Sequence, residues 1–186
     1  MKPYTPLLLA LLLGIAGQAA AEKADAFKPT AIDCDACQFN GVTGKARMVG
    51  NVVITRGSLR IEADHGHAER SPDGYQSAVV EANPGRKVRF RQKADGPGEQ
   101  WMEGEAMRVE FDERSGMIKL FTEARVRRLA DGKLSDEAQG ELITYDSRTE
   151  MFDIRPLSAG GRGTIILQPR RAGPAPAAAA PTMETR

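Results

Sequence analysis

Phe39-Asn40-Gly41-Val42-Thr43-Gly44-Lys45-Ala46-Arg47-Met48-Val49-Gly50-Asn51-Val52-Val53-Ile54 is answered later in the chain by Phe111-Asp112-Glu113-Arg114-Ser115-Gly116-Met117-Ile118-Lys119-Leu120-Phe121-Thr122-Glu123-Ala124-Arg125-Val126. In each stretch an aromatic residue and Asn or Asp precede a glycine. Apolar residues then recur on alternate positions: Ala46, Met48, Val52 and Ile54 in the first, Ile118, Leu120, Ala124 and Val126 in the second. The spacing is the same in both, without a gap. A weaker third copy starts at Tyr145-Asp146 and has Glu150 where the glycine stood. Repetition on this scale predicts β-hairpins in series rather than a catalytic site.

The flanking sequence extends the pattern. Turn signals recur at Arg56-Gly57, Pro72-Asp73-Gly74, Asn83-Pro84-Gly85, Asp95-Gly96-Pro97-Gly98, Asp131-Gly132 and Gly160-Gly161. Between them Leu59, Ile61 and Ala63 alternate with Arg60, Glu62 and Asp64. Met107, Val109 and Phe111 alternate with Arg108, Glu110 and Asp112. A period of two gives each strand one apolar and one solvated face, which predicts an antiparallel all-β domain. The expected inward residues are Ile32, Met48, Val52, Ile54, Leu59, Ile61, Val88, Phe90, Met107, Val109, Phe111, Ile118, Leu120, Val126, Ile143, Tyr145, Phe152 and Ile154. They fit an ordinary sandwich core or a groove for acyl chains, and periodicity does not separate the two. Flexible Met48 and Met107 suit either.

The ends read differently. Lys2, the apolar run Leu7 to Ala16 and Ala19-Ala20-Ala21 have the order of a secretory signal peptide, with cleavage expected after Ala21. A short lead, 22–28, precedes one domain over 29–168. A Pro/Ala-rich tail, 169–186, is expected to be disordered. The 26 Lys and Arg residues nearly balance 25 Asp and Glu, which argues against a nucleic-acid binder.

Chemistry-bearing motifs are sparse. Cys34 and Cys37 form a Cys-x-x-Cys pair, which marks a disulfide or a redox site in an oxidising compartment. On an extended strand, residues three apart stand about 10 Å apart and on opposite faces, so a bond between them requires a turn at Asp35-Ala36. His65 and His67 share a strand face and read as solvated residues rather than metal ligands. Neither a Gly-x-Ser-x-Gly elbow nor a glycine-rich phosphate loop occurs in the sequence. Arg86, Lys87, Arg89, Arg91 and Lys93 interleave with Val88 and Phe90. Their strand is either a cationic surface for a phosphorylated amphiphile or a solvated sheet edge. No catalytic residue, cofactor or metal site is expected.

The run from Gly50 to Asp64, Gly-Asn-Val-Val-Ile-Thr-Arg-Gly-Ser-Leu-Arg-Ile-Glu-Ala-Asp, resembles the characteristic stretch of the OstA-like family, in particular its LptA-type lipopolysaccharide-transport members. Ile32 with Asp35, Phe39-Asn40 and Ile143-Thr144-Tyr145 fit the same pattern, so the resemblance covers about residues 29–157. It implies an open, twisted β-jellyroll of two facing antiparallel sheets, with lipid A acyl chains in the groove between them. It also implies a periplasmic location, head-to-tail self-association, and bridging between an LptC-like inner-membrane domain and an LptD-like outer-membrane jellyroll. Cys34 and Cys37 depart from the family pattern. A periplasmic thiol–disulfide protein using that pair is the alternative reading, and a structural β-scaffold with a dry core is a third.

Overall fold

The computed structural model describes Asp25 and residues 28–169, apart from positions 97, 147 and 150. The expected leader over 1–21, all but the first residue of the tail, and Glu150 of the third copy therefore lie outside the described residues. Among the described residues alternation resolves into twelve strands: β1 Ala31–Asp33, β2 Ala36–Asn40, β3 Lys45–Arg56, β4 Leu59–Arg70, β5 Gln76–Glu81, β6 Val88–Lys93, β7 Gln100–Ala106, β8 Arg108–Asp112, β9 Met117–Ala130, β10 Lys133–Asp146, β11 Met151–Arg155 and β12 Thr164–Leu167. All pairings are antiparallel.

Four long strands belong to two sheets at once. The start of β3 pairs with β2, and its end pairs with β1. β4 pairs with β6 near its start and with β5 near its end. β9 and β10 divide in the same way, β9 between β8 and β7 and β10 between β12 and β11. One sheet therefore runs β2-β3-β4-β5-β8-β9-β10-β11, and the other β1-β3-β4-β6-β7-β9-β10-β12. This is a jellyroll folded along the bends of its long strands.

The bends explain the repeated sequence. In β3 the register jumps between Val49 and Val52, and in β10 against β9 it jumps between Gly140 and Leu142. One extra residue sits in β3 and in β9, which is a β-bulge at each corner. The left-handed residues there are Gly50 (φ 77°) and Asn51 (φ 44°) in β3, and Thr122 (φ 64°) and Glu123 (φ 52°) in β9. The pairs stand 72 positions apart, the same offset that separates Phe39 from Phe111. With that offset β1 falls on β7 and β2 on β8. The structure is two copies of a six-strand unit, joined where β5 pairs with β8 and β6 with β7.

Each corner is also fixed by a carboxylate opposite its bulge. Asp64, only 6% exposed, accepts a hydrogen bond from the Asn83 amide (2.7 Å) and pairs with Arg86 (2.8 Å). In the second copy Glu141 accepts from the Leu157 (2.5 Å) and Ser158 (3.0 Å) amides. These bonds tie the β5–β6 and β11–β12 connections to the fold line.

Two expectations need correction. Met107, Val109 and Phe111 do not share one strand: β7 ends at Ala106, β8 starts at Arg108, and half-buried Met107 stands at the corner between the two sheets, outside the core. The basic strand is not a sheet edge, because β6 lies between β4 and β7. Its charges are matched across the sheet: Arg91 faces Glu103 and stacks on Trp101, whose ring also lies 5.3 Å from Lys93 Nζ.

A threonine is β-branched and strained at positive φ. Thr122→Gly is therefore expected to stabilise the protein by about 1 kcal/mol in denaturant unfolding. Gly50→Thr, which also drives a Cβ into Asp35, is expected to destabilise it by more.

Candidate functional site

The inner faces of the two sheets hold most of the residues that alternation places inward. Met48, Val52, Ile54, Leu59, Ile61, Val88, Phe90, Val109, Ile118, Leu120, Val126, Ile143 and Tyr145 form one buried cluster. Ile32, Phe111, Phe152 and Ile154 pack against it half-buried, and Tyr145 stacks on Phe152 with ring centroids 4.7 Å apart. Val80, Met102 and Ala106 also belong to the cluster. Met102 and Ala106 were legible in the alternation with Glu103 and Glu105, whereas Val80 was hidden in the unalternating pair Val79-Val80. Gly104 leaves room for the Phe90 ring, which a Cβ at that position would strike.

The interior is apolar and nearly closed. A cavity of about 40 Å³ remains between Ile32 and Ile54 on one sheet and Ala78 and Phe111 on the other. A larger space, about 310 Å³, opens at the far end between Val126, Ala138, Phe152 and Ile165. The sheets are continuous along the corner side. On the opposite side the hairpin tips of one sheet face those of the other, and Arg56 spans that gap. Arg56 Nη1 donates to Glu113 Oε1 (2.7 Å), and its guanidinium lies 5.2 Å from the Phe111 ring centre. Glu113 Oε2 accepts from the Gln76 amide (2.8 Å), so the contact ties the β3 tip to the sheet containing β5 and β8. Arg56 is 8% exposed, and its Nε has no partner among the described residues. A buried unpaired N–H costs about 1–3 kcal/mol.

Among the described residues, both ends of the jellyroll present strands with an unpaired edge. At one end β1 and β2 are the outer strands, and at the other β11 and β12. Apolar side chains stand exposed there: Phe39 (64%), Met151 (67%), Ile165 (62%) and Leu167 (72%).

Cys34 and Cys37 are joined by a disulfide with Cα atoms 5.8 Å apart, so the chain does turn at Asp35-Ala36. The bond closes the corner between β1 and β2, not the start of a helix. Its counterparts 72 positions on are Ala106 and Val109, both fully buried. Internal packing holds that second corner; at the uncovered end a covalent bond takes the same place. His65 and His67 lie on the outer face beside a pocket of about 660 Å³ with Arg47 and Arg86, and His65 Nε2 lies 3.3 Å from Glu81. Among the described residues no group of three or more His, Cys, Asp or Glu side chains converges on a metal position.

A family model described as "LptA/(LptD N-terminal domain) LPS transport protein" matches residues 31–151. The chain belongs to this family. The family consists of lipopolysaccharide-transport proteins, not enzymes, which leaves the Cys-x-x-Cys pair without the catalytic role of the alternative reading. A search among curated proteins gives no match. Among solved structures, the fold is similar to that of LptH from Pseudomonas aeruginosa, titled the LptA homologous periplasmic component of the conserved lipopolysaccharide transport device. That match has a TM-score of 0.66 at 18% identity and covers 78% of this chain and 99% of the other. It bears out the expected all-β jellyroll.

Two measurements check the corners. The backbone amide of Leu157, followed by the Ser158 hydroxyl and amide, holds the Glu141 carboxyl below its ordinary value. A depressed carboxylate pKa stabilises the folded state above the ordinary carboxylate range, and that contribution is lost as pH falls through the folded value. In an acid titration followed by NMR, the Leu157 and Ser158 amide resonances are expected to shift together with Glu141, and Glu141→Gln is expected to abolish the step. Removing the disulfide with Cys34→Ser/Cys37→Ser is expected to cost about 2 kcal/mol in unfolding, the loop-entropy value for so short a link.

Proposed function

We propose that this chain is a periplasmic lipopolysaccharide carrier that takes acyl chains between its two sheets and joins neighbours end to end. The observation that carries the proposal is an apolar interior lined from both sheets, closed on the tip side by side chains such as Arg56 and Glu113, in a member of a lipopolysaccharide-transport family. An acyl chain in water costs about 0.8 kcal/mol per CH₂, so carriage between two membranes needs a continuous apolar track. The lining proposed for that track is the set of inward residues, from Ile32 and Ile54 through Val109, Phe111 and Leu120 to Phe152 and Ile154. The aqueous periplasm fits the expected cleavage after Ala21 and the periplasmic place of LptH, whose fold is similar.

Joining neighbours follows from the tandem build. Inside the chain, the closing edge of the first unit already pairs with the opening edge of the second: Val80 with Val109, Ala78 with Phe111, and Phe90 with Gly104. The same geometry applied between two molecules pairs Ile154 with Cys37, Phe152 with Phe39, and Ile165 with Ile32. Exposed sheet edges recruit partner strands in this way. The same ends are the proposed docking sites for an LptC-like inner-membrane domain and for the jellyroll of an LptD-like outer-membrane translocon.

A photo-crosslinking residue at Ile54, Val109 or Phe111 is expected to capture lipopolysaccharide in cells, and one at outward-facing Arg60 or Glu110 is not. Capture only at the outward positions would overturn the groove. Phe39→Asp is expected to leave the monomer folded, by circular dichroism, while reducing self-association in sedimentation measurements.

A further inference from the structure

Arg56 is poorly explained as a structural residue. It continues the inward series Val52 and Ile54 on β3, where an apolar side chain is expected, and it is almost fully buried. Glu113 satisfies one side of the guanidinium, while the Nε proton on the other has no acceptor among the described residues. An arginine presents a fork of donors suited to the oxygens of a phosphate. This fork stands at the open side of the interior, on the wall of the small cavity between Ile32, Ile54 and Phe111, and the cavity's polar rim carries Thr30, Gln76 and Ser77. Apolar depth with a buried cation and hydroxyls at the rim is the arrangement that an amphiphile with a phosphorylated head requires.

The tandem build supplies an independent observation. The position 72 residues after Arg56 is Arg128, also an arginine, half-buried, and lining the larger cavity at the far end with Val126, Ala138 and Phe152. Both units therefore set a cation at the same point of the lip, immediately beyond their inward apolar residues. Elsewhere the two copies share few side chains. Glu113 is more exposed than Arg56, with side chains 23% and 10% accessible, so it is the partner that can swing out to solvent.

We propose that Arg56 binds the phosphate of an acylated, phosphorylated lipid whose chains enter between the sheets, and that Glu113 occupies the phosphate's place in the unloaded chain. This assignment rests on the groove reading. Loading exchanges one anion for another on the same guanidinium, so the lip opens without leaving Arg56 as a buried, unpaired charge.

The test is equilibrium binding of the full mature chain to lipopolysaccharide and to the same lipopolysaccharide with its lipid A dephosphorylated. The wild-type chain is expected to prefer the phosphorylated lipid by roughly ten- to a hundredfold, the range of a hydrogen-bonded charged contact. Arg56→Gln is expected to remove most of that preference, read as the ratio of the two affinities within the variant. Glu113→Gln removes the competing anion and is expected to increase the preference. An Arg56→Gln chain that is folded, by circular dichroism, and keeps the full preference overturns the assignment. If Arg56→Gln does not fold, Glu113→Gln decides, and an unchanged preference there overturns it. Inorganic phosphate at millimolar concentration is expected not to compete; competition seen in wild type and lost in Arg56→Gln assigns the site to a free anion and overturns the lipid headgroup. Failure of the wild-type chain to bind either lipid overturns the groove reading itself, an outcome distinct from binding without preference.

Discussion

Each long strand has to leave one sheet and enter the other with its apolar side chains still directed between them. A strict two-residue period does not achieve this around a corner shared by neighbouring strands. β4 and β10 cross in a step of three residues, from Ala63 to Gly66 and from Gly140 to Ile143. Their neighbours β3 and β9 take four, from Met48 to Val52 and from Leu120 to Ala124. The difference is the bulge, held by two left-handed residues in each copy. The buried cluster, the open side and the unpaired ends all follow from these crossings. If the bulge were lost, the residues beyond it would turn to the other face of the sheet.

The same construction accounts for a packed interior that is closed differently on its two sides. The corner side is continuous backbone, further tied by Asp64 to the β5–β6 connection and by Glu141 to the β11–β12 connection. On the open side the tips meet through side chains, with Arg56, Glu113 and Phe111 among them. The cavity of about 40 Å³ at that position is too small for an acyl chain, so the loading we propose would require the sheets to part on the open side while the corners hold. Under that proposal apolar contacts between the sheets would be exchanged for apolar contacts with lipid, a substitution of small net cost because neither state exposes the lining to water.

Much of this was legible in the sequence because strands with one buried face record their orientation at every second residue. Ile118, Leu120, Ala124 and Val126 are read correctly on that basis, including across the corner, since the four-residue step preserves parity. The corners themselves were not legible. Gly50-Asn51 advertises its conformation, but Thr122-Glu123 carries no residue that favours positive φ, and only the repeat offset identifies it. Met107 was misplaced because a single residue separates two strands whose inward parity differs, and sequence alternation passes through it without a mark. Arg56 was hidden for the opposite reason. Its position is inward by period, but its charge reads as solvated, and only the tertiary partners Glu113 and Phe111 show otherwise. The Cys34–Cys37 link depended on a turn that local sequence left open. The tandem structure resolves it as the covalent counterpart of the Ala106–Val109 corner.

The central claim is that lipid occupies the space between the two sheets and parts them at the open side. Distance measurement by double electron–electron resonance, with spin labels at Val42 on one sheet's tip and Arg60 on the other's, tests it most directly. Lipopolysaccharide is predicted to lengthen the Val42–Arg60 distance while leaving a control pair within one sheet, Arg60 and Ile166, unchanged. Saturating lipopolysaccharide binding with no change in the Val42–Arg60 distance would contradict it.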